Sequence, residues 1–286
     1  MTCFFVSDLH GSVERYRKLF EAIRKERPQA VFCGGDLLPT GLFRLSSSPN
    51  LHQDFINECL VPSCEALRRD LKSEYPHLFV ILGNDDPRAQ EAAILDGAVY
   101  GHWEYIHARR VALGDYHVIG YNYVPPTPFL LKDWERYDVS RFVDVGCVSP
   151  EEGRYSVPIA EQEKKYSTIK ADLDDLTQGL DLGRTIFLFH APPHRTNLDR
   201  AALDGKVIDH VPLDLHVGSI AIRRFIESRQ PLVTLHGHIH ESAGLTGSWC
   251  DQIGRTVLLT AAHDGPELAL VRFDPDNPVN AAREIL

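Results

Sequence analysis

Several features common in other classes of protein are scarce or missing in this sequence. The six cysteines form no C-x-x-C pair, and Cys3 and Cys33 lie in apolar stretches typical of buried strands. We therefore expect reduced core thiols and a cytoplasmic protein, because disulfides persist mainly outside the reducing cytosol. The chain begins without a basic segment ahead of its short apolar run, so we predict no signal peptide. No apolar run approaches the roughly 18 residues that cross a membrane, and we expect no membrane partner.

Basic residues are also fewer than acidic residues. The 286 residues include 30 Lys and Arg against 40 Asp and Glu, which gives a formal net charge of -10. Because the chain has no basic stripe, we do not expect it to bind long nucleic acid or an anionic membrane. A small phosphorylated substrate is compatible with this charge, since bound divalent cations would set the local field.

The length fits one large domain or two small ones. The apolar share of 43% predicts an ordinary packed core. Because no repeat or interdomain linker is visible, we predict a single domain over residues 1–286.

The first part of the chain has the pattern strand, helix, strand. Thr2 to Val6 is an apolar run of strand length, an amphipathic helix from Val13 to Arg27 follows, and Gln29 to Cys33 is a second apolar run. Such α/β units place their ligands beyond the carboxyl ends of their strands. The same patterns predict further helices at 51–74, 87–95, 159–177 and 219–228. They predict further strands at 77–82, 104–111, 116–120, 185–189, 230–234, 244–249, 256–260 and 268–273.

Two long stretches, 121–167 and 195–217, lack a regular pattern. The first contains the rigid segment Val124-Pro125-Pro126. Irregular stretches of this length in a compact domain are commonly functional. We predict an irregular insert or lid at about 121–167, with a surface excursion that has no role as the alternative.

Side chains that can bind metals follow five of the predicted strands. His238 and His240 stand two apart, and in extended backbone such positions face the same side. An isolated His-x-His is more often a pair of exposed loop histidines, but here four other strand ends also carry donors. Mixed imidazole and carboxylate donors suit borderline divalent metals. Seven donors are too many for one ion with an open position, and they fit two ions that share the Asp36 carboxylate. The seven are Asp8, His10, Asp36, Asn84, His190, His238 and His240.

The order of these donors resembles the signature of the calcineurin-like metallophosphoesterase superfamily, which runs D-x-H, G-D-x-x, G-N-H-[DE], a lone His and G-H-x-H. The matching blocks keep the family's order and extend over most of the chain. They are Asp8-Leu9-His10, Gly35-Asp36-Leu37-Leu38, Gly83-Asn84-Asp85-Asp86, His190 and Gly237-His238-Ile239-His240. The resemblance implies an α/β fold, a two-sheet β-sandwich flanked by helices in four αββα layers.

The resemblance also implies how the donors divide between two divalent metal ions. Asp8, His10 and His240 would hold one ion, Asn84, His190 and His238 the other, and Asp36 would bridge them. Two cations roughly 3.5–4 Å apart bind phosphoryl oxygens and make a hydroxide from water, which then attacks phosphorus in line. We expect manganese, with Fe, Zn, Ni or Mg as alternatives.

One position departs from the family signature. Asp85 stands where the family has a histidine that is thought to stabilise the transition state or to protonate the leaving group. Family members without this histidine keep activity, often on phosphodiesters. We predict Asp36, Asn84 and Asp85 as catalytic residues, with the proton supplied by His194 or by water. The alternative for His194 is a loop histidine without a catalytic role.

Residues around these motifs carry weaker signals. Arg195 and His216, together with Asn84, are predicted to contact the substrate, although Arg195 and His216 are types that more often lie on the surface without a role. Asp86 is predicted to cap the following helix. Glu241 is predicted to orient one of the ligand histidines from behind.

The predicted function is hydrolysis of a phosphodiester or a phosphomonoester in a small molecule or nucleotide. One alternative is a weakly active or inactive scaffold with the same fold that binds a protein partner. Another is a nuclease, which the acidic charge disfavours. The substrate and the oligomeric state are left open by the sequence.

Overall fold

The computed structural model describes residues 1–39 and 54–286. The start of the helix predicted at 51–74 falls on residues 40–53 and lies outside the described residues. Two sheets of six strands each form the centre of the described chain, and helices flank them. This arrangement confirms the α/β sandwich that the sequence resemblance implied.

The first sheet joins the N-terminal strands to the last strands of the chain. The four strands from β1 to β4 run parallel, whereas β13 pairs antiparallel with β1, and β14 pairs antiparallel with β13. β14 was not predicted, because its sequence Ala-Arg-Glu-Ile contains no apolar run, and the strand is mostly exposed at the sheet edge. In spatial order the strands are β14 (Ala282–Ile285), β13 (Ala269–Phe273), β1 (Cys3–Val6), β2 (Ala30–Gly34), β3 (His77–Ile81) and β4 (Glu104–Tyr105).

The second sheet has four parallel strands at its centre and an antiparallel strand at each edge. A separate small hairpin consists of β8 (Val207–Ile208) and β9 (Val211–Pro212). The second sheet's strands in spatial order are β11 (Cys250–Ile253), β12 (Thr256–Thr260), β10 (Val233–His236), β7 (Thr185–Phe189), β6 (Tyr116–Tyr121) and β5 (Arg110–Leu113).

Helices cover the outer faces of both sheets. α1 begins at Ser12, whose hydroxyl accepts a hydrogen bond from the amide of Arg15, and it ends at Arg27 in the left-handed conformation. A π-helical turn at 56–60 precedes α2, a 3₁₀ turn at 72–74 follows it, and another 3₁₀ turn at 88–90 precedes α3. The α-helices are α1 (Val13–Glu26), α2 (Val61–Leu71), α3 (Glu91–Val99), α4 (Glu161–Tyr166), α5 (Ile169–Leu176), α6 (Ile220–Arg229) and α7 (Ser242–Thr246).

Alternation along the central strands separates the core into layers. In β1, Phe4 belongs to the cluster that packs under the helices, whereas Phe5 belongs to the cluster between the two sheets. The inter-sheet layer takes Phe32 and Phe79 from the first sheet and Leu188 from the second. Each sheet is therefore buried on both faces, which explains why the parallel strands are continuously apolar.

The prediction of one strand at 104–111 is wrong. β4 ends at Tyr105 and pairs with β3 in the first sheet, while β5 begins at Arg110 and pairs with β6 in the second. Ala108, between them, has a left-handed φ of 50°. The chain crosses from one sheet to the other at this point, and the short connection is hidden within a run that resembles a single strand.

Two other predicted elements also differ from the structure. The helix predicted at 159–177 is broken, because Ser167 ends α4 and the Thr168 hydroxyl caps α5 by accepting from the amide of Ala171 at 3.1 Å. The strand predicted at 244–249 is instead the short helix α7, which ends at Gly247 with φ 73°. The strand β11 begins only at Cys250.

The predicted insert has a buried ion pair at its centre. Residues 122–160 contain no helix or strand in the described chain, yet Lys132 and Glu135 are fully buried and pair at 2.5 Å. Glu135 also accepts from the Thr127 amide at 2.7 Å and hydroxyl at 2.6 Å, and Lys132 donates to the Thr127 carbonyl at 2.8 Å. These bonds replace much of the hydration that burial removes from both charges.

A second buried carboxylate ties the insert to the rest of the fold. Asp133 accepts from the amide of Arg88 at 2.8 Å and from the amide of Ser156 at 2.9 Å. Neighbouring Trp134 is fully buried. The insert is therefore packed against the chain that follows β3, and its function as a lid stays a prediction. No helix of the described chain combines the length and apolar character needed to cross a membrane.

Candidate metal centre

The carboxyl ends of β1, β2, β3, β7 and β10 meet at one edge of the sandwich. The loops after the first three strands carry Asp8, Asp36 and Asn84, and the second sheet contributes His190 and the pair His238 and His240. Because all five strands are parallel within their sheets, their donor side chains emerge at the same end. The two sheets are joined here by a hydrogen bond of 3.0 Å from the His238 amide to Asp8 Oδ1.

The backbone of this edge is strained at four donor positions. Asp8, His10, Asp36 and His238 have left-handed φ values of 56°, 45°, 51° and 75°. Such a conformation costs a non-glycine residue about 1–3 kcal/mol and persists where surrounding bonds fix it. Those bonds include Asp8 N to Gly35 O at 3.0 Å and His10 N to Asp36 O at 2.8 Å. Strain of this kind concentrates at functional sites.

The glycines of the motifs are required by close packing of the donors. A Cβ placed on Gly83 would lie 2.3 Å from Asp36 Oδ1 and 2.6 Å from His190 Nε2. A Cβ on Gly237 would lie 2.8 Å from Asp8 Oδ2. All three distances are well below van der Waals contact, so any larger residue would displace the donors.

The first group of donors consists of Asp8, His10, Asp36 and His240, whose donor atoms lie within 4.8 Å of one another. The Nε2 atoms of His10 and His240 are 3.1 Å apart. His240 Nε2 is 3.3 Å from Asp8 Oδ1, and His10 Nε2 is 4.0 Å from Asp36 Oδ2. The His240 side chain is 34% exposed, so this group is open to solvent on one side.

The second group consists of Asp36, His190 and His238, again with donor atoms within 4.8 Å of one another. His190 Nε2 lies 3.3 Å from Asp36 Oδ2 and 3.1 Å from Asn84 Oδ1, which adds the amide oxygen to this group. The other ring nitrogen, Nδ1, donates to the Gly34 carbonyl at 2.8 Å and sets the orientation of the ring. Asp36 belongs to both groups.

The carboxylates and two of the imidazoles shift each other's protonation. Burial would raise the pKa of Asp8, but the hydrogen bond and charge of His240 outweigh burial and hold this pKa well below its usual range. Despite burial, the charge of His190 lowers the pKa of Asp36 to about 2. Burial would lower the pKa of both imidazoles, but their carboxylates raise it to about 10 for His190 and about 9 for His240. Both imidazoles are therefore protonated at neutral pH in the metal-free protein.

The other two imidazoles are neutral. Burial lowers the pKa of His238 to about 3, and the charge of His190 acts in the same direction. Burial also lowers the pKa of His10 below its usual value. Neutral imidazole is the form that binds metals.

The donor set fits divalent cations. Asp8 Oδ2 is buried and has no hydrogen-bond partner among the described residues. The other donor atoms are lone-pair oxygens and imidazole nitrogens held together by the protons on His190 and His240. Donors about 2.0–2.2 Å from one ion stand roughly 3 Å apart when they are at right angles. The observed spacings of 3.1–3.3 Å match this value.

Asp85 and Asp86 are neighbours with different surroundings. The Asp85 side chain is 37% exposed at the open side, 3.9 Å from His10 Nδ1 and 3.1 Å from the Asn84 amide nitrogen. Burial and the charge of Asp36 raise the pKa of Asp85 to about 7. Asp86 points the other way and is fully buried.

The prediction that Asp86 caps the following helix is wrong. Its carboxylate accepts from the amides of Gly83 at 2.9 Å, Leu37 at 3.1 Å and Leu38 at 2.8 Å. These amides belong to the loops after β2 and β3, so Asp86 clamps the loop of Asp36 to the loop of Asn84. The sequence signal for this role is weak, because the two adjacent aspartates are chemically identical.

The remaining predicted residues lie outside both donor groups. His194 Nε2 is 3.5 Å from Asp214 Oδ2, and His216 Nδ1 is 2.8 Å from the buried Asp199. The Arg195 side chain is exposed, while its backbone has a left-handed φ of 55°. The roles of His194, Arg195 and His216 in catalysis or substrate binding stay predictions.

Glu241 does not orient a ligand histidine, contrary to prediction. Its carboxylate accepts from the amide of Ala202 at 3.0 Å. His236, which begins the run His236-Gly237-His238, is fully buried in the core. Its Nδ1 donates to Ala191 O at 2.9 Å, and its Nε2 accepts from the Thr234 hydroxyl at 2.8 Å. It is therefore a structural histidine.

The binding of Asp138, in the insert, to the start of α6 was not predicted from the sequence. The Ser219 hydroxyl caps this helix by accepting from Ile222 N at 3.0 Å. Asp138 accepts from that hydroxyl at 2.5 Å and from the Ile220 amide at 2.7 Å. The helix terminus is thus already occupied by a carboxylate of the insert.

Comparison with known proteins gives the class of this protein. Residues 1–242 match the family model of the calcineurin-like phosphoesterases. The chain belongs to this family, whose members use divalent metals, and it is a metal-dependent hydrolase.

Individual relatives are distant. No curated protein matches the chain. The solved structure of the protein TT1561 from Thermus thermophilus is similar, with 16% identity, a TM-score of 0.53 and coverage of 99% of this chain and 98% of that one. A dimetal phosphatase from Danio rerio has 15% identity and a TM-score of 0.50, with 95% and 91% covered. At these identities the likeness supports the fold alone.

The clamp by Asp86 generates a prediction. Asp86→Asn replaces one carboxylate oxygen by an amide NH2 group, which cannot accept a hydrogen bond, so at least one of the bonds from Leu37, Leu38 and Gly83 is lost. We expect the free energy of unfolding of the metal-free protein to fall by about 1–3 kcal/mol, measured by urea denaturation. The exposed Asp96→Asn in α3 is the matched control and should change it by less than about 0.5 kcal/mol. Equal stabilities for the two variants would rule out the clamp.

Proposed function

We propose that this protein hydrolyses a phosphodiester or a phosphomonoester of a small molecule or nucleotide at a site that binds two divalent metal ions. The observation that carries the proposal is the division of the donors into two groups that share Asp36. Each group contains imidazole and anionic oxygen within coordination distance, and one side of the first group is open to solvent. A single-ion site would need neither the second group nor a shared carboxylate.

The residues that would hold the ions follow from the two groups. The first ion would be held by Asp8, His10 and His240, the second by Asn84, His190 and His238, and Asp36 would lie between them. Bound ions would supply Lewis-acid stabilisation of the phosphoryl oxygens and a nucleophile from water at neutral pH. Manganese is our first choice because mixed carboxylate, amide and imidazole donors suit it, with Fe, Zn, Ni or Mg as alternatives.

The chain's own residues would orient these donors and shape the opening. The Gly34 carbonyl holds the His190 ring from behind, and Asp86 keeps the loops of Asp36 and Asn84 together. Retention of all the donors supports an enzyme over an inactive scaffold that binds a protein partner. The free thiols support our proposal of a cytoplasmic location.

Asp85 would influence which phosphoester is accepted. Its partly exposed carboxylate lies at the opening, beside Asn84 and His10. When it is ionised, it repels a phosphomonoester dianion more strongly than a phosphodiester monoanion. We therefore propose a preference for phosphodiesters, with His194 or water as the source of the proton and with Arg195 and His216 at the rim of the substrate pocket.

The function is tested most directly at the shared carboxylate. Asp36→Ala should reduce the metal content from two ions to one or fewer and lower the rate of bis-p-nitrophenyl phosphate hydrolysis with manganese by roughly a thousandfold or more. Asp115→Ala, whose side chain is 91% exposed, is the control. Normal turnover in Asp36→Ala would refute the bridging role. A wild-type protein that binds metal but hydrolyses nothing with any divalent ion would favour the scaffold.

Metal binding should release protons. At pH 7 the metal-free protein holds a proton on His190, with a pKa of about 10, and another on His240, with a pKa of about 9. Because a metal needs the neutral imidazoles, manganese affinity should rise with pH up to about 10, the pKa of His190, and close to two protons should leave at pH 7. Calorimetric titrations in buffers of different ionisation enthalpy measure this number. His216→Ala should leave it unchanged, whereas buffer-independent heats in the wild type would exclude these ligands.

The position of Asp85 gives a prediction about substrate class. Asp85→Asn removes the negative charge from the opening, so hydrolysis of p-nitrophenyl phosphate should rise several-fold relative to bis-p-nitrophenyl phosphate. Asp85→His should shift the ratio in the same direction and also raise turnover, because it adds a donor for the leaving group. Comparison of these two variants separates the effect of the lost charge on hydrolysis from the effect of the added imidazole. An unchanged ratio in both variants would place Asp85 away from the substrate.

A further inference from the structure

Within residues 1–39 and 54–286, the hydrogen bonds of the Arg15 side chain go only to main-chain carbonyls, one of which is that of Asp8. Arg15 lies in the first turn of α1, and its Nη1 donates to the carbonyl of Asp8 at 2.5 Å. Its Nη2 donates to the carbonyl of Gly265, and Nε lies 3.4 Å from the carbonyl of Pro266. Among the residues that the structure describes, this guanidinium forms no ion pair with a carboxylate, although the charges of Asp8 and Glu267 act on it from a longer distance. An arginine used for charge pairing would have one.

Asp8 is held at each of its polar atoms except one. Its amide donates to Gly35 O at 3.0 Å, its carbonyl accepts from Arg15, and its Oδ1 accepts from the His238 amide at 3.0 Å. Only the buried Oδ2 has no partner in the described chain. Because φ of Asp8 is 56°, a strained value, the carbonyl needs a fixed partner to keep this orientation.

Arg15 also connects Asp8 to the loop between β12 and β13. β12 runs parallel to β10, so this loop leaves the sheet at the same edge as His238 and His240. The rigid fork of the guanidinium can span two carbonyls at once, whereas an ammonium group cannot hold both in the same geometry. One side chain therefore fixes both the backbone of Asp8 and the adjacent loop between β12 and β13.

We propose that Arg15 is a positioning residue that holds Asp8 in its left-handed conformation and so keeps the Asp8 carboxylate directed at the ion of the first donor group. This proposal rests on the proposed two-metal function. The proposal is specific to one position. Loss of Arg15 should weaken the binding of the ion in the first donor group and leave the binding of the ion in the second donor group nearly unchanged.

The test compares Arg15→Gln and Arg15→Lys with a neighbouring control. Arg17→Gln is matched, because Arg17 lies on the same helix, is 51% exposed and pairs with Glu14 and Glu21 on the helix surface. Manganese binding to each full-length variant is measured by equilibrium dialysis. We expect Arg15→Gln to lower the affinity for one of the two ions by about tenfold or more, in the range seen when a ligand loses its supporting hydrogen bond. Arg17→Gln should bind both ions as the wild type does.

Two further measurements identify which ion is affected. Crystals of Arg15→Gln are equilibrated with manganese near the weaker dissociation constant. The anomalous signal should then be lower at the ion position beside Asp8 than at the position beside His190. Thermal unfolding with chelator present separates general destabilisation from the local effect. Arg15→Lys, which keeps the charge but not the fork, should restore binding only in part.

Several outcomes would overturn the proposal. Equal weakening of both ions, unchanged binding in Arg15→Gln, or full restoration by Arg15→Lys would each contradict a positioning role for the guanidinium fork. If the wild type itself fails to bind two ions, the proposed function fails instead, and the comparison between variants shows which of the two has been refuted.

Discussion

Oxygens and imidazoles at the edge where the two sheets meet, most of them buried, lie only 3.1–3.3 Å apart, and the repulsion between their lone pairs is the constraint that the surrounding chain must satisfy. In the metal-free protein two protons, on His190 and His240, offset this repulsion. The cost of holding such groups out of water is several kcal/mol for each charge unless a partner is supplied. A pair of divalent cations would supply that partner more completely than two protons do.

The strained backbone and the glycines follow from this crowding. Asp8, Asp36 and His238 adopt left-handed φ values because the chain must turn sharply while its side chain still points inward. Gly83 and Gly237 leave the space that neighbouring donors fill. Hydrogen bonds between loops then maintain these conformations, so that the site is rigid before any ion arrives and binding costs little reorganisation.

The clustering of these side chains could be predicted from sequence because each lies in the turn after an apolar run, and their order matches a known signature. Asp86 could not be assigned correctly, since its role depends on the amides of Leu37 and Leu38, which arrive from a different strand. The pair Lys132 and Glu135 resembles an exposed surface pair in an irregular segment, yet both are buried. The change of sheet near Ala108 is likewise invisible, because local pattern reports burial and not which partner strand provides it.

Each donor group draws on both sheets. The first combines Asp8 and His10 from one sheet with His240 from the other, and the second combines Asn84 with His190 and His238 in the same way. A cation bound in either group would therefore be coordinated by both sheets and would link them. The halves of the sandwich could slide past each other only by breaking coordination bonds, so the ions would brace the tertiary architecture as well as the reacting centre.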